Sequence, residues 1–306
     1  MKKISYFSYK GGAGRSSVAY NTIPFLVKKL NATPKRPILV FDLDLDSAGL
    51  TFLLKKNGAD IESYSLQQAL ATGYSKILNH PSRTDIAHHA IFQHCIPVGR
   101  CFGLDNESDA AVLFVPTKRD ESLNREANSN FAIGGVEEGR FKDIIAACEA
   151  FDFSAVLFDT PAGNQVTAQW ALDLSDSVAT CMRITYQFRI GTHEFLCNKL
   201  KNFSNKKFVI IPNAVPMDEI KINGLTVSYE NIKKLIVEDF GAIDINNNKI
   251  DLNMVGIGED FFGVNEVKRF KVQEDILFKI APENLSSDEK KAITAYKKVV
   301  DCLVED

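Results

Sequence analysis

The stretch "YKGGAGRSSVAY", residues 9 to 20, places the tightest constraint on how this chain folds. It follows the apolar run "KISYFSY" (3–9), which predicts a strand, and it precedes a helix-like segment from Ser16 to about Leu30. Because glycine lacks a Cβ, a turn with three glycines lets backbone N–H groups approach an anion closely. A helix that begins directly after the turn adds the positive end of its dipole. The order of strand, turn and helix predicts a phosphate-binding loop, whereas a glycine-rich turn alone would serve as a tight connection.

The rest of the chain has the pattern of an α/β protein. Short apolar runs alternate with helical patterns, which predicts βαβ units around a parallel sheet. Further strands are predicted at 37–44, 111–116, 154–159, 177–184 and 207–214. Helices are predicted at 62–71, 136–150, 189–202 and 229–240, and over the closing "SSDEKKAITAYKKVVDCLVED", which opens with a capping signal. Pro24 is expected to kink the first helix or end it early.

The domain organisation follows from the same pattern. We expect residues 1–306 to form a single α/β domain with a mostly parallel twisted sheet flanked by helices. The segments near 72–110 and 214–250 are the least regular, and we interpret them as insertions or variable surface.

Composition excludes several classes of protein. Hydrophobic residues make up 45% of the chain and charged residues 25%, a balance that can fill a core. No apolar run approaches the roughly 18 residues that span a bilayer, and the first residues contain no signal-peptide core. The net charge of -3 argues against a globally basic nucleic-acid binder, although not against a local basic patch. Six cysteines without a CxxC pair favour a reduced, cytoplasmic compartment.

Histidines and cysteines gather in the segment 80–101. Its "HHAIFQHC" stretch lacks a second ligand pair at the spacing that would close a metal site. Surface histidines, or buried histidines with hydrogen-bond partners, are therefore favoured over a metal site there. The residues concerned are His80, His88, His89, His94, Cys95 and Cys101.

Three further stretches place polar side chains where predicted strands end. In "VFDLDLDSAGL", Asp42 and Asp44 alternate on a strand and are expected to face the same way, towards phosphates and a metal. In "SAVLFDTPAG", Asp159 ends an apolar strand in the manner of a carboxylate that holds Mg²⁺ through water. In "KFVIIPNAV", the amide of Asn213 can donate to and accept from the edge of an adenine. The hydroxyl of Ser16 is placed to ligate the same Mg²⁺.

The stretches "KGGAGRSS", "DLD", "DTPAG" and "IPNAV" occur in this order, and with them the chain resembles the ParA/MinD group of deviant Walker A ATPases, in the nitrogenase-iron-protein-like class. The resemblance extends from residue 3 to about 214. It implies the three-layer P-loop NTPase fold, ATP and Mg²⁺ as ligands, and a sandwich homodimer that ATP stabilises. The nucleotide-binding residues it implies are Lys10, Gly11, Gly12, Ala13, Gly14, Arg15, Ser16, Ser17 and Asn213.

The resemblance also implies roles for individual residues. Lys10 resembles the lysine that reaches across the dimer to the partner's nucleotide, and Asp44 resembles the carboxylate that positions the hydrolytic water. Ser16, Asp42 and Asp159 correspond to the metal site. Gly258 and Glu259 lie where the family has a loop over the base, but the usual proline is absent there.

Arg15 departs from the family pattern, which has lysine at this position. Arginine keeps the positive charge and its planar fork suits phosphate, so nucleotide binding is expected to persist. The larger head displaces atoms in a tight site, and a shift of about 1 Å costs on the order of a hundredfold in rate. The sequence therefore predicts a nucleotide site that binds ATP and hydrolyses it slowly or by altered chemistry.

Other members of the class fit less well. An iron–sulfur protein would need a cysteine just after "DTPAG", and a cluster scaffold would need a CPxC pair. A tyrosine kinase would need a tyrosine-rich tail, and a membrane-binding helix would not close on the acidic "VVDCLVED". Two alternatives stay open, namely an ATP-dependent interaction module with little hydrolysis and a metabolic enzyme of the same fold.

Nonspecific DNA is a further candidate partner. The segment 199–234 has an excess of lysines over acidic residues, which would meet phosphates in a dimer, although a solvated helical face explains it equally. The lysines concerned are Lys199, Lys201, Lys206, Lys207, Lys233 and Lys234.

Overall fold

The computed structural model describes residues 1–61, 66, 95–117, 135–200, 206–216, 219–222, 225–240, 242–245, 248–251, 253–254, 263–271 and 277–305. The α-helices in this part of the chain are α1 (Arg15–Lys29), α2 (Gly49–Lys56), α3 (Gly135–Ala150), α4 (Val166–Leu174), α5 (Tyr186–Leu200), α6 (Tyr229–Phe240) and α7 (Ser287–Val304). Short 3₁₀ helices cover Gly99–Phe102, Asp109–Ala111, Lys268–Lys271, Leu277–Lys279 and Pro282–Asn284.

The strands alternate with these helices. They are β1 (Lys2–Phe7), β2 (Ile38–Asp42), β3 (Ile96–Pro97), β4 (Val112–Val115), β5 (Ala155–Asp159), β6 (Ser177–Met182), β7 (Lys207–Val215), β8 (Ile220–Ile222), β9 (Leu225–Val227), β10 (Ala242–Ile245), β11 (Asn248–Asp251), β12 (Asn253–Met254) and β13 (Val264–Asn265).

The chain divides into two compact units, of which the first comprises Met1–Ser5 and Ile23–Ser175. Its strand order is β5-β2-β4-β3. β2 pairs parallel with both β5 and β4, and the short β3 is antiparallel to β4. All five residues of β2 are buried, as are those of β5. Such continuously apolar strands are typical of a parallel sheet that is covered on both faces.

Aromatic side chains form the centre of the core in this first unit. The ring of Phe41 on β2 meets Phe141 of α3 edge-on, with 5.3 Å between the ring centroids. Phe141 in turn contacts Phe158 of β5 at 5.7 Å and Trp170 of α4 at 5.9 Å. Edge-to-face and tilted pairs at such distances add to the free energy gained by burying the rings. This cluster holds α3 and α4 against the ends of β2 and β5, where the acidic residues lie.

The second unit comprises Tyr6–Thr22 and Asp176–Asp306. Its strand order is β12-β7-β6, with β13 also paired to β7, and all three pairings are parallel. The predicted irregular segment 214–250 contains two antiparallel pairs, β8 with β9 and β10 with β11, together with α6. The α/β class with a mostly parallel sheet flanked by helices is confirmed, whereas a single domain over 1–306 stays a prediction.

Two local predictions differ from the structure. α1 continues through Pro24 to Lys29, so an early end at Pro24 is wrong. Tyr20, Ile23 and Leu26 of this helix are at most 1% exposed, and their burial outweighs the one backbone hydrogen bond that proline removes. The strand predicted over 37–44 ends at Asp42, two residues early. The helix predicted at 62–71 lies mostly outside the described residues.

None of the six cysteines forms a disulfide, and Cys95, Cys101, Cys148 and Cys181 are buried. Burial raises the pKa of the Cys95 thiol to about 12 and also raises the pKa of Cys148. Thiols with such raised pKa values are poor nucleophiles at neutral pH. Among the described helices, none has the length and apolarity that crossing a bilayer requires.

The predicted start of α7 is confirmed and allows a stability prediction. The Glu289 N–H donates to Ser286 Oγ at 3.2 Å, and the Ser286 N–H donates to the Glu289 carboxylate at 2.7 Å. We expect Ser286→Ala to lower the free energy of unfolding by about 1 kcal/mol, because the N-terminal N–H groups lose their acceptor. Urea unfolding monitored by circular dichroism measures this change. Ser287→Ala is the control, and an equal loss there would contradict the capping role.

Candidate functional site

The loop between β1 and α1 lies in the second unit and has the backbone of an anion-binding turn. Gly12 has a φ of 84° and Gly14 a φ of 78°, in the left-handed region that glycine adopts readily. A Cβ placed on Gly12 would meet no heavy atom within 4 Å, so the loop is open on that side. The first helical bond of α1 runs from the Val18 N–H to the Gly14 oxygen at 2.9 Å. The N–H groups of the first turn therefore have no partner within the helix, which suits them to a phosphate.

Two side chains hold the back of this loop. Arg183 Nε donates to the Gly12 carbonyl oxygen at 3.0 Å, and Asn213 Nδ2 donates to the Ala13 carbonyl oxygen at 2.8 Å. Arg183 directly follows β6, and Asn213 lies near the end of β7. The register pairs Met182 with Pro212, which brings these two residues to the same edge of the sheet. The parallel strands thus present one donor to each of two consecutive loop carbonyls.

Gly14 combines a positive φ with a close neighbouring side chain. A Cβ on Gly14 would lie 2.3 Å from Asn213 Nδ2, closer than any real contact. Asn213 is thus a structural neighbour of the loop, and its predicted contact with adenine stays a prediction.

A cavity of about 180 Å³ adjoins the loop. The loop side is formed by Gly14 and Ser17, and the polar side by Arg183 and Asn213. The remaining wall is contributed by residues of and near β13 and by α7, namely Ala214, Asn265, Glu266, Val267, Phe270 and Tyr296. Polar and charged side chains, among them Arg183 and Glu266, are thus mixed with apolar ones in the lining of this cavity.

The two basic residues of the motif have different surroundings. Arg15 opens α1 and is 7% exposed, whereas Lys10 is exposed. Lys10 Nζ donates to Gln187 Oε1 at 2.8 Å and lies 5.7 Å from the centre of the Phe188 ring, both on α5. Ser16 and Ser17 in the first turn of α1 are half-buried. The predicted phosphate-loop residues 10–17 thus form the connection between β1 and α1 and the first turn of α1.

The first unit contains the predicted carboxylates. Asp42 and Asp159 end β2 and β5 and are partners in the parallel register. Asp42 is fully buried, and its Oδ2 accepts from the Thr51 N–H at 2.9 Å and from Thr51 Oγ1 at 2.7 Å. Burial, and then the charge of Asp159, raise the pKa of Asp42 to about 7. Two buried carboxylates side by side favour a cation, and their hard oxygen atoms fit Mg²⁺.

Asp44 lies two residues beyond the end of β2, so its predicted orientation with Asp42 no longer rests on strand alternation and stays a prediction. Its N–H donates to Asp42 Oδ1 at 3.1 Å instead of to a neighbouring strand, which ends the ladder. Its own carboxylate accepts from the Ser47 N–H at 3.0 Å and from Ser47 Oγ at 2.6 Å. Asp44 is therefore held in a turn, at 6% exposure.

The remaining candidate residues are dispersed or not described. Lys199 is in the last turn of α5, Lys206 and Lys207 are at the start of β7, and Lys233 and Lys234 are on α6. The described lysines therefore come from three separate elements. Outside the described residues lie Lys201, Gly258, Glu259, His80, His88, His89 and His94. In the part of the chain that is described, no group of three or more His, Cys, Asp or Glu side chains is arranged to hold a metal ion.

Sequence reasoning did not single out Arg183, Gln187 or Phe188. Arg183 had a usable signal, because it lies near the end of the predicted strand 177–184, as Asn213 does in the predicted strand 207–214, and the carboxyl ends of parallel strands meet at one edge. Gln187 and Phe188 had no such signal, since a helical surface position does not indicate which loop it will contact.

Comparison with known proteins places this geometry in a structural class. No family model matches the sequence, and no curated protein matches it. Solved structures do match over nearly the whole chain. MinD in the MinC:MinD complex of Aquifex aeolicus superposes with a TM-score of 0.60 at 15% identity, covering 100% of this chain and 97% of that one. The chain has the MinD/ParA-type ATPase fold.

Two further structures with this MinD/ParA-type fold agree. MinD from Pyrococcus horikoshii, complexed with Mg-ADP, has a TM-score of 0.60 at 15% identity and covers 99% of this chain and 96% of its own. A plasmid partition protein from Borrelia burgdorferi has a TM-score of 0.54 at 16% identity, with 98% and 96% covered. At such identities the likeness concerns the fold, and the activity rests on the residues of this chain.

Proposed function

We propose that this protein is an ATP-binding switch of the MinD/ParA type that forms an ATP-dependent homodimer. The observation that carries the proposal is the loop at the start of α1, with Gly12 and Gly14 in left-handed conformations and two carbonyls tied back by Arg183 and Asn213. In support, a MinD of this fold is complexed with Mg-ADP, and an McdA variant from Cyanothece with ATP.

We propose for the individual side chains the roles that the family resemblance implies. The loop N–H groups and Arg15 bind the phosphates, while Ser16, Asp42 and Asp159 serve Mg²⁺. Bound MgATP supplies the phosphoryl group that is transferred to water. Asp44 is proposed to orient that water, because the Ser47 contacts hold its carboxylate in a fixed position.

Turnover is proposed to be slow. The Arg15 side chain is buried at the first position of α1, where a rigid guanidinium replaces a mobile ammonium. The alternative, an ATP-dependent interaction module with little hydrolysis, differs from this proposal only in rate. Phosphate release by purified protein distinguishes the two.

Calorimetry with MgATP tests the proposal directly. We expect a micromolar dissociation constant, equivalent to about 8 kcal/mol. If the folded protein binds neither ATP nor ADP, the proposed function is wrong.

Lys10→Ala and Arg15→Ala are expected to separate dimerisation from binding. Lys10 is exposed, and we propose that it reaches the nucleotide of the partner subunit. Its loss should therefore leave nucleotide binding by the monomer intact and abolish ATP-driven dimerisation. Arg15→Ala should weaken binding by about 1.5–3 kcal/mol, because a charge-assisted contact to phosphate is lost. Light scattering with a slowly hydrolysed ATP analogue measures the first effect and a binding titration the second.

Two further variants complete that experiment. Arg15→Lys should preserve binding and raise the hydrolysis rate, because lysine restores the usual geometry. The exposed Lys279→Ala is the control for loss of a surface charge and should dimerise like the parent. If Lys10→Ala also dimerises like the parent, the sandwich mechanism does not apply to this protein.

We propose a cytoplasmic location on the basis of the cysteine usage. Binding to duplex DNA stays a prediction that rests on charge alone. Lys207 donates to the Glu305 carbonyl oxygen, and Lys199 lies 5.8 Å from the centre of the Phe195 ring, so both already have contacts within this chain.

A further inference from the structure

Arg183 is an exposed arginine whose single described hydrogen bond goes to the backbone of the phosphate loop. Its Nε donates to the Gly12 carbonyl oxygen at 3.0 Å, across 171 positions of sequence. Among the described residues no carboxylate pairs with it. A surface arginine normally extends into water or pairs with an acid, so a guanidinium fixed on a loop carbonyl calls for an explanation.

The planar peptide unit converts this bond into a constraint on the anion site. In a trans peptide the carbonyl oxygen of one residue and the N–H of the next point in opposite directions. Arg183 binds the Gly12 carbonyl, and it therefore directs the Ala13 N–H away from itself. Asn213 binds the Ala13 carbonyl and directs the Gly14 N–H in the same manner. The two donors turn consecutive N–H groups towards the opposite face of the loop.

The loop needs such a constraint because glycine residues can adopt many backbone conformations. Gly11 and Gly12 have no atom within 4 Å of an added Cβ, so no packing at that position restricts their rotation. Free rotation of the Gly12–Ala13 peptide would let a carbonyl dipole point towards the phosphate, which opposes binding. Holding the donor N–H groups in place before the ligand arrives reduces the entropy lost on binding.

The guanidinium also brings charge to the site. Arg183 also lines the cavity of about 180 Å³, together with Gly14, Ser17, Asn213 and the acidic Glu266.

We propose that Arg183 is a positioning residue of the phosphate loop, which orients the Ala13 N–H towards the phosphates of a nucleoside diphosphate or triphosphate. This inference rests on the proposed nucleotide-binding function and adds a residue that the motif does not contain. It assigns Arg183 an effect on affinity through the loop and not on folding, because the side chain is exposed.

Calorimetric titration of the full chain with ADP tests the role. Arg183→Met keeps an unbranched stem and removes both donor and charge, and we expect ADP affinity to fall about tenfold. Arg183→Lys should recover affinity to within about threefold of the parent, since its ammonium is one bond further along the chain than Nε and still donates. Arg36→Met removes an exposed arginine that pairs with Asp152 in the first unit, and should leave affinity unchanged.

Thermal unfolding without nucleotide accompanies each titration, and the midpoints of both Arg183 variants should equal that of the parent. If the parent itself binds no ADP, the proposed function fails. If the parent binds ADP and Arg183→Met binds it equally well, the positioning role is wrong while the function stands. The role is also overturned if Arg183→Lys does not recover the ADP affinity that Arg183→Met loses. It is overturned as well if both variants lose affinity and both unfold at a lower temperature than the parent.

Discussion

Replacing Gly14 with alanine is expected to reduce ADP affinity by about 30-fold to about 700-fold. The φ of 78° at Gly14 strains any residue with a Cβ, and that Cβ would lie 2.3 Å from Asn213 Nδ2. Backbone strain of about 1–3 kcal/mol adds to the loss of the Asn213 bond to the Ala13 oxygen, typically about 1 kcal/mol. The loop must therefore open or Asn213 must move, and either change misdirects the N–H groups. Calorimetry with ADP measures the loss.

Gly139→Ala is the matched control. Gly139 is exposed in α3, and a Cβ there would meet no heavy atom within 4 Å. Alanine is favoured over glycine inside a helix by about 1 kcal/mol, so this variant should be slightly more stable and bind ADP normally. If Gly14→Ala binds ADP within tenfold of the parent, the loop does not form the phosphate site.

The second large effect concerns pH and Asp42. The pKa of Asp42 is about 7 in the folded protein against an ordinary 3.8, because of burial and the charge of Asp159. Between these values the folded state keeps a proton that the unfolded state has lost. The contribution of Asp42 to stability is therefore complete below pH 4 and decreases as the pH rises to about 7. A shift of roughly three units corresponds to a loss of about 4 kcal/mol at most.

Urea unfolding in metal-free buffer at pH 5 and pH 8 measures this dependence. In Asp42→Asn the carboxylate is absent, so the variant should lack the share of the pH effect that Asp42 contributes. The amide oxygen of the new asparagine can still accept from the Thr51 N–H, but its NH₂ group would face the Asp44 N–H, which is also a donor. The free-energy cost of these two opposed donors does not vary with pH. Adding Mg²⁺ at pH 8 should stabilise the parent more than the variant.

The exposed Asp60→Asn serves as the control and should keep the parent's pH dependence. Equal pH dependence in the parent and Asp42→Asn would show that Asp42 is ionised in the folded protein at all these pH values. The paired-carboxylate account of the site would then be wrong.

The sequence by itself determined the elements whose signals are local. A strand, a glycine turn and a helix start located the loop between β1 and α1, and Ser286 with Glu289 located the start of α7. Continuous apolar runs identified β2, β5 and β7, because strands covered on both faces need no alternation. Each of these signals depends on residues a few positions apart, so one sequence contains all the necessary information.

Tertiary structure decided the features that depend on partners distant in sequence. Core burial of its apolar face carries α1 through Pro24, although local propensity favours a break there. Arg183 and Asn213 reach the loop from 171 and 200 positions away, since parallel strands bring their carboxyl ends to one edge. A sequence pattern specifies which groups can donate a hydrogen bond, whereas only the folded chain specifies which carbonyl each of them reaches.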